Sequence, residues 1–219
     1  MNNSDSGSSN TIQNTTSASV SGEDEVFDLT LFGIDDKAMI PTGLKVGQRA
    51  PYFVGVDQNG KTISSKTMLE KGPVVLQFYR ASWCPVCVRY YSAITDSIPM
   101  ISEAGASFIA VSPEMQTHQK ELLRESGANF SILGDKDMSI MKNFDVLFKV
   151  HEDYDIKIEE DLDTNIAAHN GASESFLPIP ATYVIDQKGK IVFVQFNYNY
   201  RKRASVKSIL KGVKSAQTY

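Results

Sequence analysis

The two cysteines of the 219-residue chain, Cys84 and Cys87, stand three residues apart in Trp83-Cys84-Pro85-Val86-Cys87. Two thiols at that spacing on one helix face can close a disulfide and reopen it without unfolding their surroundings, which is dithiol redox chemistry. Residues 73–79, Pro-Val-Val-Leu-Gln-Phe-Tyr, form a short apolar run rich in β-branched and aromatic types and read as a buried strand. A helical pattern follows, so the pair lies where a central strand ends and a helix begins. The backbone N–H groups of a first helical turn lack intrahelical partners, and the helix dipole adds partial positive charge; both favour a thiolate at Cys84. Pro85 suits that turn, because its missing N–H would be unpaired there anyway. Cys84 is therefore expected to be an exposed nucleophile and Cys87 a deeper, resolving thiol.

The residues around the pair admit several roles. Trp83 offers a flat apolar surface that limits water and shapes the approach of a substrate. Arg80 and Arg89 carry charge that a thiolate would feel, although the ordinary expectation for each is a solvated surface arginine. Ser82 is a candidate cap of the redox helix. The alternative chemistry is half of a zinc site. It would need two further ligands from His118, His151 and His169, and these show no metal-type spacing. No metal or organic cofactor is expected.

The elements that position this turn follow from the pattern on either side. Residues 52–56 and 61–63 flank Asp57-Gln58-Asn59-Gly60, a hairpin signal. Ser64 or Ser65 begins a short helix that Gly72-Pro73 stops. After the redox turn, Val88, Tyr91, Ile94, Thr95 and Ile98 recur at helical spacing, with a kink or break expected at Pro99. Residues 107–111 and 130–133 read as parallel strands. Between them lies a helix capped by Ser112 and running to Gly127, and residues 137–144 form a further short helix. Residues 149–177 interrupt the rhythm with a charged, helical stretch and a polar one. Residues 181–186 and 190–196 form a hairpin through Gln187-Lys188-Gly189, and residues 203–216 a closing helix. Strands alternating with helices indicate an α/β fold.

Four stretches carry a resemblance: residues 43–51 (Gly-Leu-Lys-Val-Gly-Gln-Arg-Ala-Pro), residues 78–87, Ala168-His169-Asn170-Gly171, and residues 177–186 (Leu-Pro-Ile-Pro-Ala-Thr-Tyr-Val-Ile-Asp). In this order they resemble the peroxiredoxin-like branch of the alkyl hydroperoxide reductase and thiol-specific antioxidant family, within the thioredoxin superfamily. The resemblance implies a thioredoxin-like fold: a mixed central sheet flanked by helices, an N-terminal β-hairpin, and an insertion before a cis-proline strand that folds over the redox site. It implies that Pro180 is cis and packs on the CxxC, with Ile179 and Thr182 beside it shaping the site. It also brings His169 near the thiols, either as a general acid or base or as a loop histidine fixing the insertion. Peroxiredoxins place Thr or Ser three residues before the peroxidatic cysteine and Pro seven before it. Counted from Cys84, those positions hold Ala81 and Gln77, and Pro180 stands where their catalytic arginine would be. The groups that polarise the peroxide bond are thus missing from their usual places.

With 42% apolar residues the chain can bury one substantial core. Residues 1–22 are polar and small and are expected to be a disordered tail. Residues 23–42 form an acidic lead-in, and residues 43–216 the thioredoxin-like domain. Of the net charge of −4, residues 1–40 carry −6, from seven acidic residues and one lysine, so the remainder carries +2. That balance gives no sign of nucleic-acid binding, and no apolar run approaches transmembrane length, so neither nucleic acid nor membrane is expected as a partner. Two cysteines at CxxC spacing and no secretion-type leader suit a reducing, cytoplasmic location. The leading reading is an antioxidant oxidoreductase in which Cys84 attacks a peroxide, Cys87 closes the disulfide, and a thioredoxin- or glutathione-type thiol restores the pair. A thiol-disulfide reductase is the alternative, with Cys84 attacking a disulfide substrate. A copper chaperone using the two cysteines and His169 is a third.

Overall fold

The structure is a computed structural model that describes residues 28–217. The expected tail at residues 1–22, and residues 23–27 of the lead-in, lie outside the described residues.

Strands β1 (Val54–Val56) and β2 (Thr62–Ser64) pair antiparallel, and Gly60 takes the positive φ (82°) that the turn between them requires. Helix α1 (Ser65–Lys71) follows, then β3 (Val74–Phe78), every residue of which is buried. Helix α2 (Pro85–Ile94), α3 (Ile98–Glu103), β4 (Ser107–Ser112), α4 (Gln116–Ser126) and β5 (Ser131–Gly134) continue the alternation. After α5 (Ser139–Asn143) comes an inserted layer: β6 (Leu147–Lys149), α6 (Glu152–Leu162), α7 (Ile166–Asn170) and β7 (Phe176–Pro178). Strands β8 (Ala181–Ile185) and β9 (Ile191–Phe196) and helix α8 (Val206–Ala216) close the chain.

The main sheet has the order β5-β4-β3-β8-β9. Its β5, β4 and β3 run parallel, while β3, β8 and β9 pair antiparallel, so the sheet is mixed. Strand β3 alternates its side chains across the sheet. Val75 and Tyr79 face a core with Tyr91, Phe130 and Val213, whereas Leu76 and Phe78 face a core with Phe144 and Tyr183. Because β3 is central and paired on both sides, the loop leaving its end is held between two neighbouring strands. That loop carries the cysteines.

The insertion has its own small core, formed by Phe148, Val150, Ile158, Ile166, Leu177 and Ile179. The lead-in joins it. Ile34 is fully buried there and bridges Val150, and the Asp35 amide donates to the Lys149 carbonyl. Two sequence expectations shift. The helical break falls at a 3-10 turn, Thr95–Ser97, ahead of Pro99, which instead occupies the first turn of α3 where its missing N–H costs nothing. Ser112 does not cap α4; the cap position is Met115, and the Ser112 hydroxyl donates to the Arg80 carbonyl and accepts from the Glu114 amide.

Candidate active site

Cys84 is the N-cap residue of α2 and Cys87 lies in its first turn, as the spacing indicates. Both are free thiols. The expected exposed nucleophile is not found: Cys84 is only 2% exposed and Cys87 fully buried, because Trp83, Arg80 and the insertion close over the loop. Pro85 at the mouth is exposed.

The two sulfurs influence each other in opposite directions. Hydrogen bonding to Cys87, with burial, holds the Cys84 thiol well above its ordinary value. Burial also pushes the Cys87 thiol up, but the Cys84 S–H, the Arg203 and Arg80 charges and the Arg80 backbone N–H outweigh it and hold Cys87 well below. A Cys thiolate stabilised by an S–H donor and two guanidinium groups is a nucleophile at neutral pH.

Arg80 overturns the expectation of a solvated arginine. It is 2% exposed, and its guanidinium lies 4.1 Å from the ring centroid of Tyr200, 4.9 Å from Trp83 and 5.3 Å from Tyr154. Three aromatic faces attract the cation and exclude water from it. Tyr154 comes from α6 and Tyr200 from the segment after β9, so the cage is assembled only by the tertiary fold. Burial pushes the Tyr154 hydroxyl up to about 12, so the ring beside Arg80 stays neutral. Arg89 is exposed, as its ordinary reading predicts.

Ser82 does not cap α2. Its amide donates to Glu114 Oε2 (2.8 Å), and its hydroxyl lies 3.3 Å from His169 Nε2. Glu114 is the hub here and was not singled out by the sequence. Its fully buried carboxylate also accepts from the Tyr79 hydroxyl and lies 3.1 Å from His169 Nε2. His169 is thus a fastening between α7 of the insertion and the redox loop, and the His118 ring stacks on it at 3.6 Å. Of the two roles the sequence left open for His169, these contacts match the fixing one. They also place its Nε2 on Glu114 and Ser82 rather than on the cysteines.

Pro180 and Ile179 are buried where the insertion returns to β8, and the Ile179 amide donates to the Val146 carbonyl (2.7 Å). Thr182, paired with Gln77 in the β3–β8 register, accepts from Gln77 Nε2 (3.0 Å), which ties the two strands just beneath the redox loop. The sequence also missed Arg203, whose Nη2 donates to Cys87 Sγ (3.3 Å) and whose Nε donates to the Tyr200 carbonyl (2.6 Å). No local signal marks an arginine 116 residues from its cysteine. A groove of about 510 Å³ is lined by Trp83, Pro85, Val88, Arg89, His118 and His169, residues that flank Cys84 in the chain or fasten its loop; neither cysteine lines it.

A family model described as the AhpC/TSA family matches residues 46–194. Among curated proteins, the chain is 27% identical over 169 residues to peroxiredoxin Q, chloroplastic, of Populus jackii, covering 77% of this chain and 68% of that one. It is 25% identical over 150 residues to the thiol-disulfide oxidoreductase ResA of Bacillus thuringiensis, covering 68% of each. Among solved structures it is similar in fold to peroxidoxin BcpB of Mycobacterium tuberculosis, with a TM-score of 0.59 and 21% identity over 78% of this chain and 97% of that one.

Proposed function

The chain belongs to the AhpC/TSA family, and from that premise we propose that it is a thiol-dependent peroxidase working through a Cys84–Cys87 dithiol. The observation that carries the reading is the buried Cys84–Cys87 pair at the start of α2, with Arg203 Nη2 donating to Cys87 Sγ (3.3 Å). The thiolate of the pair attacks one peroxide oxygen; a sulfur–oxygen bond forms and the O–O bond breaks. The leaving hydroxide or alkoxide takes the proton of the second thiol. The second sulfur, now a thiolate, attacks the sulfenic acid and expels hydroxide, closing the disulfide. A thioredoxin- or glutathione-type dithiol then reduces it by exchange. The similarity to peroxiredoxin Q supports peroxide as the oxidant. Two cysteines at CxxC spacing, cycling between dithiol and disulfide, suit a reducing, cytoplasmic setting. The cycle uses no metal or organic cofactor.

A second reading keeps the site and changes the substrate to a disulfide; the CxxC pair and the similarity to ResA support it. Stopped-flow fluorescence separates the two. Trp83 is the single tryptophan and adjoins Cys84, so oxidation of the pair changes its emission. Mixing reduced protein with hydrogen peroxide gives a fast phase that both Cys84→Ser and Cys87→Ser alter. A peroxide rate no greater than that of a free thiol, with rapid exchange toward oxidised glutathione, would replace peroxidase with thiol-disulfide reductase.

A further inference from the structure

Two cations stand at the dithiol without carboxylate partners, Arg80 fully buried and Arg203 half-buried with its Nη1 shielded from solvent. Arg80 makes no ion pair with a carboxylate among the described residues, nor does Arg203. Burying the Arg80 guanidinium with no counter-charge is costly; the three rings offset part of that cost, and a nearby anion would offset more. The neighbouring group able to carry that charge is the cysteine pair, which Arg203 touches directly through Nη2 at Cys87 Sγ, 3.3 Å away. Both guanidinium groups also retain free donors. Arg80 Nε and Nη2 and Arg203 Nη1 are buried and have no hydrogen-bond partner, and neither does Trp83 Nε1. Buried N–H groups are nearly always paired, so unpaired donors on Arg80, on Trp83 against it and on Arg203 against Cys87 mark a place for an acceptor supplied by a ligand.

We propose that Arg203 and Arg80 form a two-sided anion clamp on the dithiol: Arg203 holds the negative charge on Cys87, and Arg80 presents its free Nε–H and Nη2–H to the peroxide oxygen that leaves. This deepens the peroxidase reading and rests on it for the oxygen-facing half. Arg203 is a catalytic residue, since it contacts a reacting sulfur. It enters from the segment between β9 and α8, while Arg80 enters from the loop after β3. In the step itself, with Cys87 taking the attacking role that the sequence reading gave to Cys84, the Cys87 sulfur donates an electron pair to the nearer peroxide oxygen. The O–O bond breaks toward the farther oxygen, whose growing negative charge the Arg80 donors stabilise. The Cys84 S–H supplies the proton that converts this oxygen to water or alcohol. The Cys84 thiolate so formed then attacks the Cys87 sulfenic acid and expels hydroxide. Charge stabilisation by fixed N–H donors in a water-poor site is the strongest form of such help. The clamp also accounts for the missing family groups, because polarisation of the peroxide comes from different elements of the fold.

The test measures the thiol ionisation curve of the reduced protein, from thiolate absorbance against pH, together with the peroxide rate from Trp83 emission. The variants are Arg203→Met, Arg203→Lys, Arg80→Met and Arg80→Lys, each checked for native circular dichroism. Arg203→Met is expected to move the first ionisation up by about one pH unit or more, which cuts the thiolate population below that pH about tenfold. Arg203→Lys, which keeps the charge, recovers most of the shift. Arg80→Met is expected to slow peroxide oxidation about tenfold or more even at pH values where the thiolate is fully formed, because its donors act on oxygen. An unchanged ionisation curve in both Arg203 variants would overturn the charge-holding half. Full recovery of the Arg80→Met rate at high pH would overturn the oxygen-facing half. The ionisation curve requires no peroxide, so it still decides the charge-holding half if the wild-type protein is not a peroxidase.

Discussion

Removing Glu114 is the sharpest structural test of how the site is held. The carboxylate accepts from the Tyr79 hydroxyl and the Ser82 amide and lies 3.1 Å from His169 Nε2, and it is wholly buried. It therefore joins three parts of the chain: the end of β3, the redox loop and α7 of the insertion. Glu114→Ala leaves up to three donors without an acceptor. Each buried unsatisfied group costs about 1–3 kcal/mol, giving a range of about 3–9 kcal/mol. Because the three share one hub their effects are not independent, and about 4–6 kcal/mol is the expected loss. That is a large part of the 5–15 kcal/mol or so that holds a typical domain together. Glu114→Gln keeps the shape and one acceptor oxygen and is expected to cost only about 1–3 kcal/mol. Urea unfolding followed by Trp83 emission measures both, and Trp83 also reports loosening of the loop it sits on. A Glu114→Ala protein within about 1 kcal/mol of wild type would refute the argument that this carboxylate fastens the site.

Three further predictions follow from the same structure. Asp135 accepts from the Ile140 and Met141 amides at the start of α5, and burial raises its carboxyl from 3.8 to about 6. A folded value above the unfolded one means the proton binds the folded state more tightly. The resulting stability is therefore full below about 3.8 and is lost as pH rises through about 6, a total of about 3 kcal/mol. Urea midpoints of wild type and Asp135→Asn, compared across that window, should diverge by this amount in favour of the variant as pH rises; parallel curves would contradict it. Gly33 has φ of 86°, and an added Cβ would lie 2.6 Å from Tyr154 Cδ1. Gly33→Ala should therefore cost about 1–3 kcal/mol in thermal unfolding, and it should disturb the ring that covers Arg80 and so shift the thiol ionisation curve. Gly212 lies mid-helix in α8, where Ala would ordinarily stabilise by about 1 kcal/mol. An added Cβ there would meet Phe193 Cβ at 2.8 Å, so Gly212→Ala should instead destabilise by about 1–3 kcal/mol in the same assay.

The fold was largely legible because its signals are local. The apolar run of β3, the Asn59-Gly60 turn, the stripe through Tyr91 and Ile94, and the CxxC at a helix start are each carried by adjacent residues. The redox pair was legible for the same reason. What surrounds the pair was not. Arg80 reads as a surface charge until Trp83, Tyr154 and Tyr200 close over it, and Tyr154 lies in a stretch whose charged helix gives no hint of an inward-facing ring. Glu114 follows Pro113 in what looks like the entrance to a helix, and a buried carboxylate there depends on Tyr79, Ser82 and His169 converging from elsewhere. Ser82 and Ser112 look like helix caps by position, yet long-range partners claim both hydroxyls. The burial of Cys84 belongs with these, since the insertion that helps cover it follows some 65 residues later in the chain.

A peroxidase of this kind requires that peroxide oxidise the Cys84–Cys87 dithiol directly. The most direct measurement is the intact mass of the reduced protein quenched within seconds of adding one equivalent of hydrogen peroxide, alongside the two single-cysteine variants and a sulfenic-acid trap. Wild type is expected to lose two hydrogens and form the internal disulfide, while the variant retaining the attacking cysteine gains one oxygen and takes up the trap. Reduced wild-type protein left unchanged in mass on that timescale, while oxidised glutathione converts it to the disulfide, would contradict the account.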